Sequence, residues 1–430
     1  MHGTREVCGS GISWVSPHEF GSFQGREAAM SSRLAIGLVV DAARREARGT
    51  LVRVDGAGLD CRVESLAAAA VAELVAPRVE LAATSAAAGI AADRNAESDA
   101  PIESIMVEAI RTVAARAGTS LDHVLVLGVQ IENGSSLLLE RGAGTAARLA
   151  ETTGITTVAG FSERDHAAGG RGRPLDAICD WIVTHDEIST RLVAHIDNTS
   201  SLCIVPARCG PRAVRVSETG PGVVMLDSLV SALTQGRQPS DRRGMLAVQG
   251  RQIKPLIRSW ATHRFFQQTP PRVVQPDDFG DSFIAATLQM TVECGWSVAD
   301  VLCTATHFVA ACPADAVRQQ IANDFAAEQV IVVGKGAQNG LLLRLVEDQF
   351  TGLGVVTAPL AKIPAETYSA VCAAMLACLT LDGVPANLPG VTGAAGSRLL
   401  GQITPGTSRN WSECLEWMHQ SARPAAVRAA

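Results

Sequence analysis

The chain has 430 residues, 47% of them hydrophobic and 19% charged, with a net charge of -6. That length is too great for one ordinary core and suits two lobes of about 150–200 residues each, with ample apolar mass to bury. Dispersed basic residues, 4% aromatics and a single tyrosine, Tyr368, argue against a nucleic-acid-binding surface.

The eleven cysteines stand singly, with no CxxC pair, mostly in apolar runs. This usage reads as a reducing, cytoplasmic setting and offers a structural zinc site no ligand pair. No apolar stretch reaches the about 18 residues of a membrane span. Residues 1–31 carry Arg5, Glu6, Glu19, Arg26 and Glu27 without an apolar core segment, so they do not read as a secretory signal. Met30, just ahead of the first strand, is an alternative translation start. The expected organisation is an N-terminal extension over 1–31, a first lobe over 32–190, a second over 191–406 whose last helical region packs back on the first, and a tail over 407–430.

In chain order, Leu34–Asp41 (LAIGLVVD) reads as a buried strand and Thr50–Asp55 as its antiparallel neighbour, with Cys61–Glu64 a third strand. The Ala-rich segments 65–92 and 101–117 have helical spacing. Strands follow over His123–Gly128, Ser136–Glu140 and Ile155–Ala159, with a helix near 143–152. Then comes Arg164–Leu175 (RDHAAGGRGRPL), in which Asp165 precedes three closely spaced glycines and a proline. Such a run is no ordinary helix interior or strand, and it predicts a loop that carries a carboxylate beside close-approaching backbone. A helix is expected over 175–184.

The pattern then restarts. Arg191–Asp197, Ser201–Val205 and Ala213–Val216 read as consecutive strands, Thr219-Gly220-Pro221-Gly222 as a tight loop and Val223–Leu233 as a helix. Residues 236–282 are polar and irregular. Helices are expected over 284–296, 298–311 and 314–326, then a strand Val330–Gly334, a glycine-rich loop 334–340, and helices Leu341–Phe350 and 366–382 before the turn 383–389. The segment after 406 is polar and ends in an Ala/Arg stretch expected to be disordered. A strand–strand–strand–helix–strand unit thus occurs twice. The expected fold class is α/β, two-lobed and ribonuclease-H-like (the actin/hexokinase type), with a nucleotide cleft at the strand ends.

Several ordered stretches carry a family resemblance: Gly154–Leu175 (GITTVAGFSERDHAAGGRGRPL), Glu218–Asp227 (ETGPGVVMLD), Ala286-Thr287-Leu288, Gly334–Leu341 (GKGAQNGL), Gly383–Ala394 (GVPANLPGVTGA) and Gly401–Gly406 (GQITPG). Through them the chain resembles the anhydro-N-acetylmuramic acid kinases of the actin/sugar-kinase/heat-shock-70 superfamily. The resemblance implies ATP-dependent phosphorylation of the sugar O6 while water opens the 1,6-anhydro bridge, a step of cell-wall recycling. It implies Asp165 as general base on that water. It also implies a nucleotide side formed by Asp41, Asp197, Asn198, Gly334, Gly336 and Asn339. The sugar side would be formed by Arg164, Glu218, Thr219, Gly220 and Gly222. The implied cofactors are ATP and Mg2+, with no resident metal ligands. The implied partner is an amino sugar in a cytoplasmic homodimer, with neither nucleic acid nor membrane.

The chain departs from the family pattern at the phosphate loops. The family's Gly-Thr-Ser-x-Asp-Gly loop is replaced by Asp41-Ala42-Ala43-Arg44-Arg45-Glu46, without a glycine before Gly49. Asp41 with Arg44 and Arg45 reads either as a metal- and phosphate-contacting set or as a solvated helix start or hairpin turn, the commoner fate of a charge cluster. The family's Asn-Ile-Gly-Gly is His195-Ile196-Asp197-Asn198, where His195 also reads as a strand-end histidine with a satisfied hydrogen bond. An acid at Asp197 faces an approaching phosphate with about 4 kcal/mol of repulsion at 4 Å and an effective dielectric of 20. The His-Gly-Gln-Thr motif is replaced near Val129-Gln130-Ile131-Glu132, and Asp-Phe-Arg by Gly160-Phe161-Ser162. In Asp-Thr-Gly-Pro-Gly-Asn the acid is Glu218 and the amide Val223. Lys-Ser-Thr-Gly-Arg-Glu has no counterpart in Pro276–Phe283 (PDDFGDSF), and an expected glutamate falls on Ser369. Three activities therefore stand open: a kinase with a rebuilt phosphate site, a pseudokinase that binds without turnover, and an ATP-independent hydrolase using Asp165.

Overall fold

The computed structural model describes residues 32–42, 44–72, 102–132, 142–275, 277–320, 327–357 and 362–421. The N-terminal extension, the strand expected over 136–140 and the C-terminal Ala/Arg stretch lie outside these residues.

The apolar run at 34–41 forms β1 (Ser32–Asp41), which hairpins into β2 (Glu46–Asp55) and then β3 (Arg62–Ala72). The third strand is longer than expected: Ser65–Ala72 pairs with β2 as strand, so the helical reading of that stretch is corrected. Alanine favours helix in isolation, but a ready hydrogen-bonding edge overrides propensity. Helix α1 (Ile102–Arg116) leads to β4 (Val124–Glu132), α2 (Gly142–Thr153) to β5 (Thr156–Ala159), and a late strand, β11 (Gln402–Thr404), closes the sheet in the order β11-β5-β4-β1-β2-β3.

After α3 (Phe161–His166) and α4 (Ala177–Thr184), the second sheet repeats the plan with β6 (Thr190–Ile196), β7 (Thr199–Val205), β8 (Arg215–Pro221), β9 (Ala327–Val333) and β10 (Gly354–Val356), in the order β10-β9-β6-β7-β8. In both sheets the first three strands are antiparallel neighbours and the fourth joins the first in parallel. This is the duplicated ribonuclease-H-like topology expected from the sequence. Thr219, Gly220 and Pro221 belong to β8, not to a loop.

Helices α5 (Val223–Leu233), α6 (Lys254–Ala261), α7 (Asp281–Cys294), α8 (Val298–Gln320) and α9 (Gly340–Gln349) follow β8 and β9. Helix α8 runs on through Pro313 where two helices were expected. Then come α10 (Tyr368–Leu381), the short α11 (Pro389–Thr392) and α12 (Ser408–Ser421). The polar tail is thus helical through Ser421: Asn410, Cys414 and Trp417 are its buried side, a narrow stripe that a polar composition hides.

The two sheets are joined through their inner faces. Ala35, Val126 and Val158 of the first sheet and Val193, Cys203 and Ile331 of the second share one apolar cluster with α4 and α10. The outer face of the first sheet (Ile36, Leu38, Val40) is covered by α1 and α2, and that of the second (Leu192, Ala194, Ile196) by α5, α8 and α9. Strand alternation sends consecutive side chains to these separate clusters.

Candidate active site

Parallel pairing brings β1 and β4 to a common end, with Asp41 opposite Glu132. Asp197 and Asn198 follow β6, its counterpart in the second sheet. Asn198 links the two halves: its Nδ2 donates to Asp41 Oδ2 (3.3 Å) and to Glu132 Oε2 (3.1 Å). Arg48 of β2 lies between the acids, with Nη1 3.7 Å from Asp197 Oδ1 and Nη2 3.5 Å from Glu132 Oε2. Asp197 also accepts from the Lys335 N–H (2.9 Å) and the Ser369 hydroxyl (2.8 Å). Lys335 Nζ reaches Glu46 (2.9 Å), and Arg44 Nη1 reaches Asp227 Oδ2 (2.5 Å).

Charge sets the protonation of this cluster. Burial works to raise Asp197, but Arg48, the Lys335 N–H and Ser369 hold it below the usual range for an aspartate. Glu132 is pushed up to about 7 by burial and by the charge of Asp197, against Arg48 and Lys335. Two polar atoms here are enclosed without a hydrogen bond, Arg48 Nη2 and Asn198 Oδ1. Buried polar atoms are rarely left so, which singles this cluster out.

Of the expected nucleotide-side residues, Asp41, Asp197, Asn198 and Gly334 converge: a Cβ at Gly334 would lie 2.7 Å from Asp197 Oδ2. Gly336 packs on Ile196 in the following turn, and Asn339 caps α9, its Oδ1 accepting from Leu342 N (3.1 Å). Ala42, Arg44 and Arg45 lie in the β1–β2 turn, in which Asp41 Oδ1 accepts from Arg44 N (3.1 Å), so the hairpin reading of these charges holds. The same turn still carries Arg44 into the cluster. Arg48 and Glu46 escaped the sequence reading. Their signal is the period-two alternation of β2, with Glu46 opposite Asp41 and Arg48 two residues on.

Asp165 anchors a second cluster. It sits on α3, where a loop was expected, and the glycines follow the helix. It is fully buried. Its Oδ1 accepts from Asn387 Nδ2 (2.7 Å) and the Thr392 hydroxyl (2.8 Å), its Oδ2 from Gly172 N (2.8 Å). The backbone at Gly170 passes so close that a Cβ there would fall 2.1 Å from Oδ2. The glycine run therefore wraps the carboxylate, its backbone as close as the glycines led one to expect.

Beside this loop stands the end of β8. Glu218 Oε2 accepts from Val274 N, and Arg173 lies with Nη1 3.7 Å from Glu218 Oε1. Burial raises Glu218, and Arg173 works against it. Thr219 Oγ1 is enclosed without a hydrogen bond, while Arg164 is exposed on α3. Gly222 belongs to the first cluster, donating its N–H to Asn198 O (3.2 Å). His195 leaves both: its Nε2 meets Asp180 (2.9 Å) beneath the site, as the satisfied strand-end histidine. Among the described residues, no three of His, Cys, Asp and Glu come together to hold a metal ion, and no helix is long and apolar enough to cross a membrane.

Known proteins are similar to this chain over most of its length. A sequence profile described as Anhydro-N-acetylmuramic acid kinase matches residues 132–406. The enzyme of that name from Acaryochloris marina is 29% identical over 82% of this chain and 94% of its own length. That from Salinibacter ruber is 27% identical over 87% and 96%, and that from Cupriavidus pinatubonensis 32% identical over 69% and 79%. With well over half the chain matched, including the Asp165 helix, both glycine turns and the end of β8, the chain belongs to the anhydro-N-acetylmuramic acid kinase family.

Proposed function

We propose that this protein is an ATP-dependent kinase of 1,6-anhydro-N-acetylmuramic acid that holds the nucleotide phosphates with side chains in place of glycine loops. The observation that carries this is the cluster at the ends of β1, β4 and β6, with Arg48 Nη2 and Asn198 Oδ1 enclosed there without hydrogen bonds. Arg48, Arg44 and Lys335 put three cations at the position where phosphoryl transfer needs positioning and charge stabilisation.

The donor set fits Mg2+ arriving with the nucleotide. Such an ion takes one or two protein carboxylates and completes its shell with phosphate and water, so no three-residue cage is required. Asp197, kept ionised, and Asp41 are the residues that would hold it. Bound there, it supplies neutralisation of phosphate charge.

On the sugar side Asp165 is assigned as the base. Water attacks C1 of the sugar, its proton passes to the Asp165 carboxylate, the C1–O6 bond breaks, and O6 takes the γ-phosphoryl group as ADP departs. Asp165 accepts two hydrogen bonds on Oδ1 and one on Oδ2, which leaves a lone pair on Oδ2 for that proton, and catalytic groups commonly reach working geometry only with substrate bound. A reaction that uses ATP this way belongs to the cytoplasm.

The test is turnover. Incubated with millimolar Mg·ATP and the anhydro sugar in 18O-labelled water, the protein is expected to release ADP and form N-acetylmuramic acid 6-phosphate with one labelled oxygen. Asp165→Asn lowers kcat by about 10²- to 10⁴-fold. ADP release no greater than in a protein-free blank, even with Mg·ATP bound, overturns the proposal in favour of a binding protein.

A further inference from the structure

Resting on the kinase reading, one question is how the cleft recognises the acid of its sugar. A muramic acid carries a carboxylate ionised at neutral pH, which a site must meet with a cation. The stretch 276–283, which has no counterpart of the family's Lys-Ser-Thr-Gly-Arg-Glu, offers acids instead: Asp277, Asp278 and Asp281.

The guanidinium groups near Glu218 are not equivalent. Arg264 is committed to the buried Asp278 (2.8 Å). Arg272 is itself buried, donating through Nε to Gln268 O (2.8 Å). Arg171 is exposed but donates Nη2 to Val391 O (2.6 Å). Arg173 is different. Its side chain is 45% exposed, one Nη2 contact to Val274 O anchors it, and its Nη1 stands 3.7 Å from Glu218 Oε1, beyond hydrogen-bond length. Glu218 spends its other oxygen on Val274 N, so Oε1 holds Arg173 only loosely. Next along β8, the Thr219 hydroxyl is enclosed without a hydrogen bond.

We infer that Arg173 is the specificity-determining residue that binds the substrate carboxylate, its fork turning from Glu218 to the acid of the sugar. Its neighbour Gly172 donates to Asp165, so recognition and the base share one loop. No canonical cradle residue is involved; the cation comes from the glycine run itself.

The experiment compares 1,6-anhydro-N-acetylmuramic acid with 1,6-anhydro-N-acetylglucosamine, which lacks the acid, on wild type, Arg173→Ala and Arg173→Lys. Calorimetric binding is measured beside kcat/KM. Arg173→Ala is expected to weaken binding of the acidic sugar by about 10- to 100-fold while leaving the neutral sugar within about twofold, and Arg173→Lys to recover part of the loss. Equal losses for both sugars, or none, overturn the inference. Binding decides this even without turnover, and absent turnover with intact, Arg173-dependent binding counts against the kinase reading alone.

Discussion

Glu132 shows how far one residue's chemistry depends on its neighbours. It is a polar strand end in sequence, but pairing places it beside Asp197, and burial with that charge lifts its carboxyl to about 7. A folded value above the ordinary 4.5 means that its contribution to stability is complete below pH 4.5 and is lost as pH rises to about 7. Glu132→Gln removes that loss. The variant's melting temperature is therefore expected to gain on wild type between about pH 4.5 and about pH 7, and two parallel curves would refute the assignment. Arg48 stands in the same relation to Asp197. Its guanidinium lies 3.7 Å from Asp197 Oδ1, so the acid there is not an isolated charge.

Among the elements, α10 decides how the sheets are built. All of Tyr368–Leu381 is buried, and its alanine-rich side presses on bare backbone. A Cβ at Gly128 would stand 2.0 Å from Ala373 O, and one at Gly37 1.7 Å from Ala370 O. Gly128→Ala must push the helix away from β4, a change expected to destabilise by about 3 kcal/mol, the upper end for overpacking, seen as a lower urea midpoint with unchanged slope. A midpoint within error of wild type would mean the helix is not packed this closely. The strand runs β1, β4, β6 and β9 were legible because β-branched apolar runs have few alternatives. The Ala-rich half of β3 and the polar α12 were not, since each takes its form from a partner: the β2 edge for one, the groove where Asn410 bonds Thr156 N (2.7 Å) and Val124 O (3.0 Å) for the other.

At the scale of the whole molecule, the layer between the two sheets contains a polar knot. His195 of β6 meets Asp180 of α4, and the Tyr368 hydroxyl of α10 donates to the same carboxylate (2.9 Å). Burial works to lower His195, but Asp180, with Asp176 and Asp197 behind it, raises it to about 9. A histidine raised above its ordinary 6.5 stabilises fully below pH 6.5, and that stabilisation fades as pH climbs through about 9. Wild type should therefore lose melting temperature between about pH 6 and about pH 10, and His195→Asn should lose less over the same span. Identical losses would show that the imidazolium is not held there. Tyr368 and Ser369 are consecutive, one bonded to Asp180 in this layer and the other to Asp197 in the cleft, so α10 ties the core to the site.

The sequence by itself determined the repeated strand order and the family, because periodicity and local motifs are written in adjacent residues. It also showed that the glycine phosphate loops were gone. Only the tertiary structure decided which side chains meet at those strand ends. Arg48 of β2 and Asn198 of the β6–β7 turn are 150 positions apart in the numbering, and meet at Glu132 because parallel pairing and the shared inner layer bring those strand ends together. The same holds for Asp165, whose partners Asn387 and Thr392 lie more than two hundred residues on. Long-range contacts of this kind are set by packing, which no local spacing encodes.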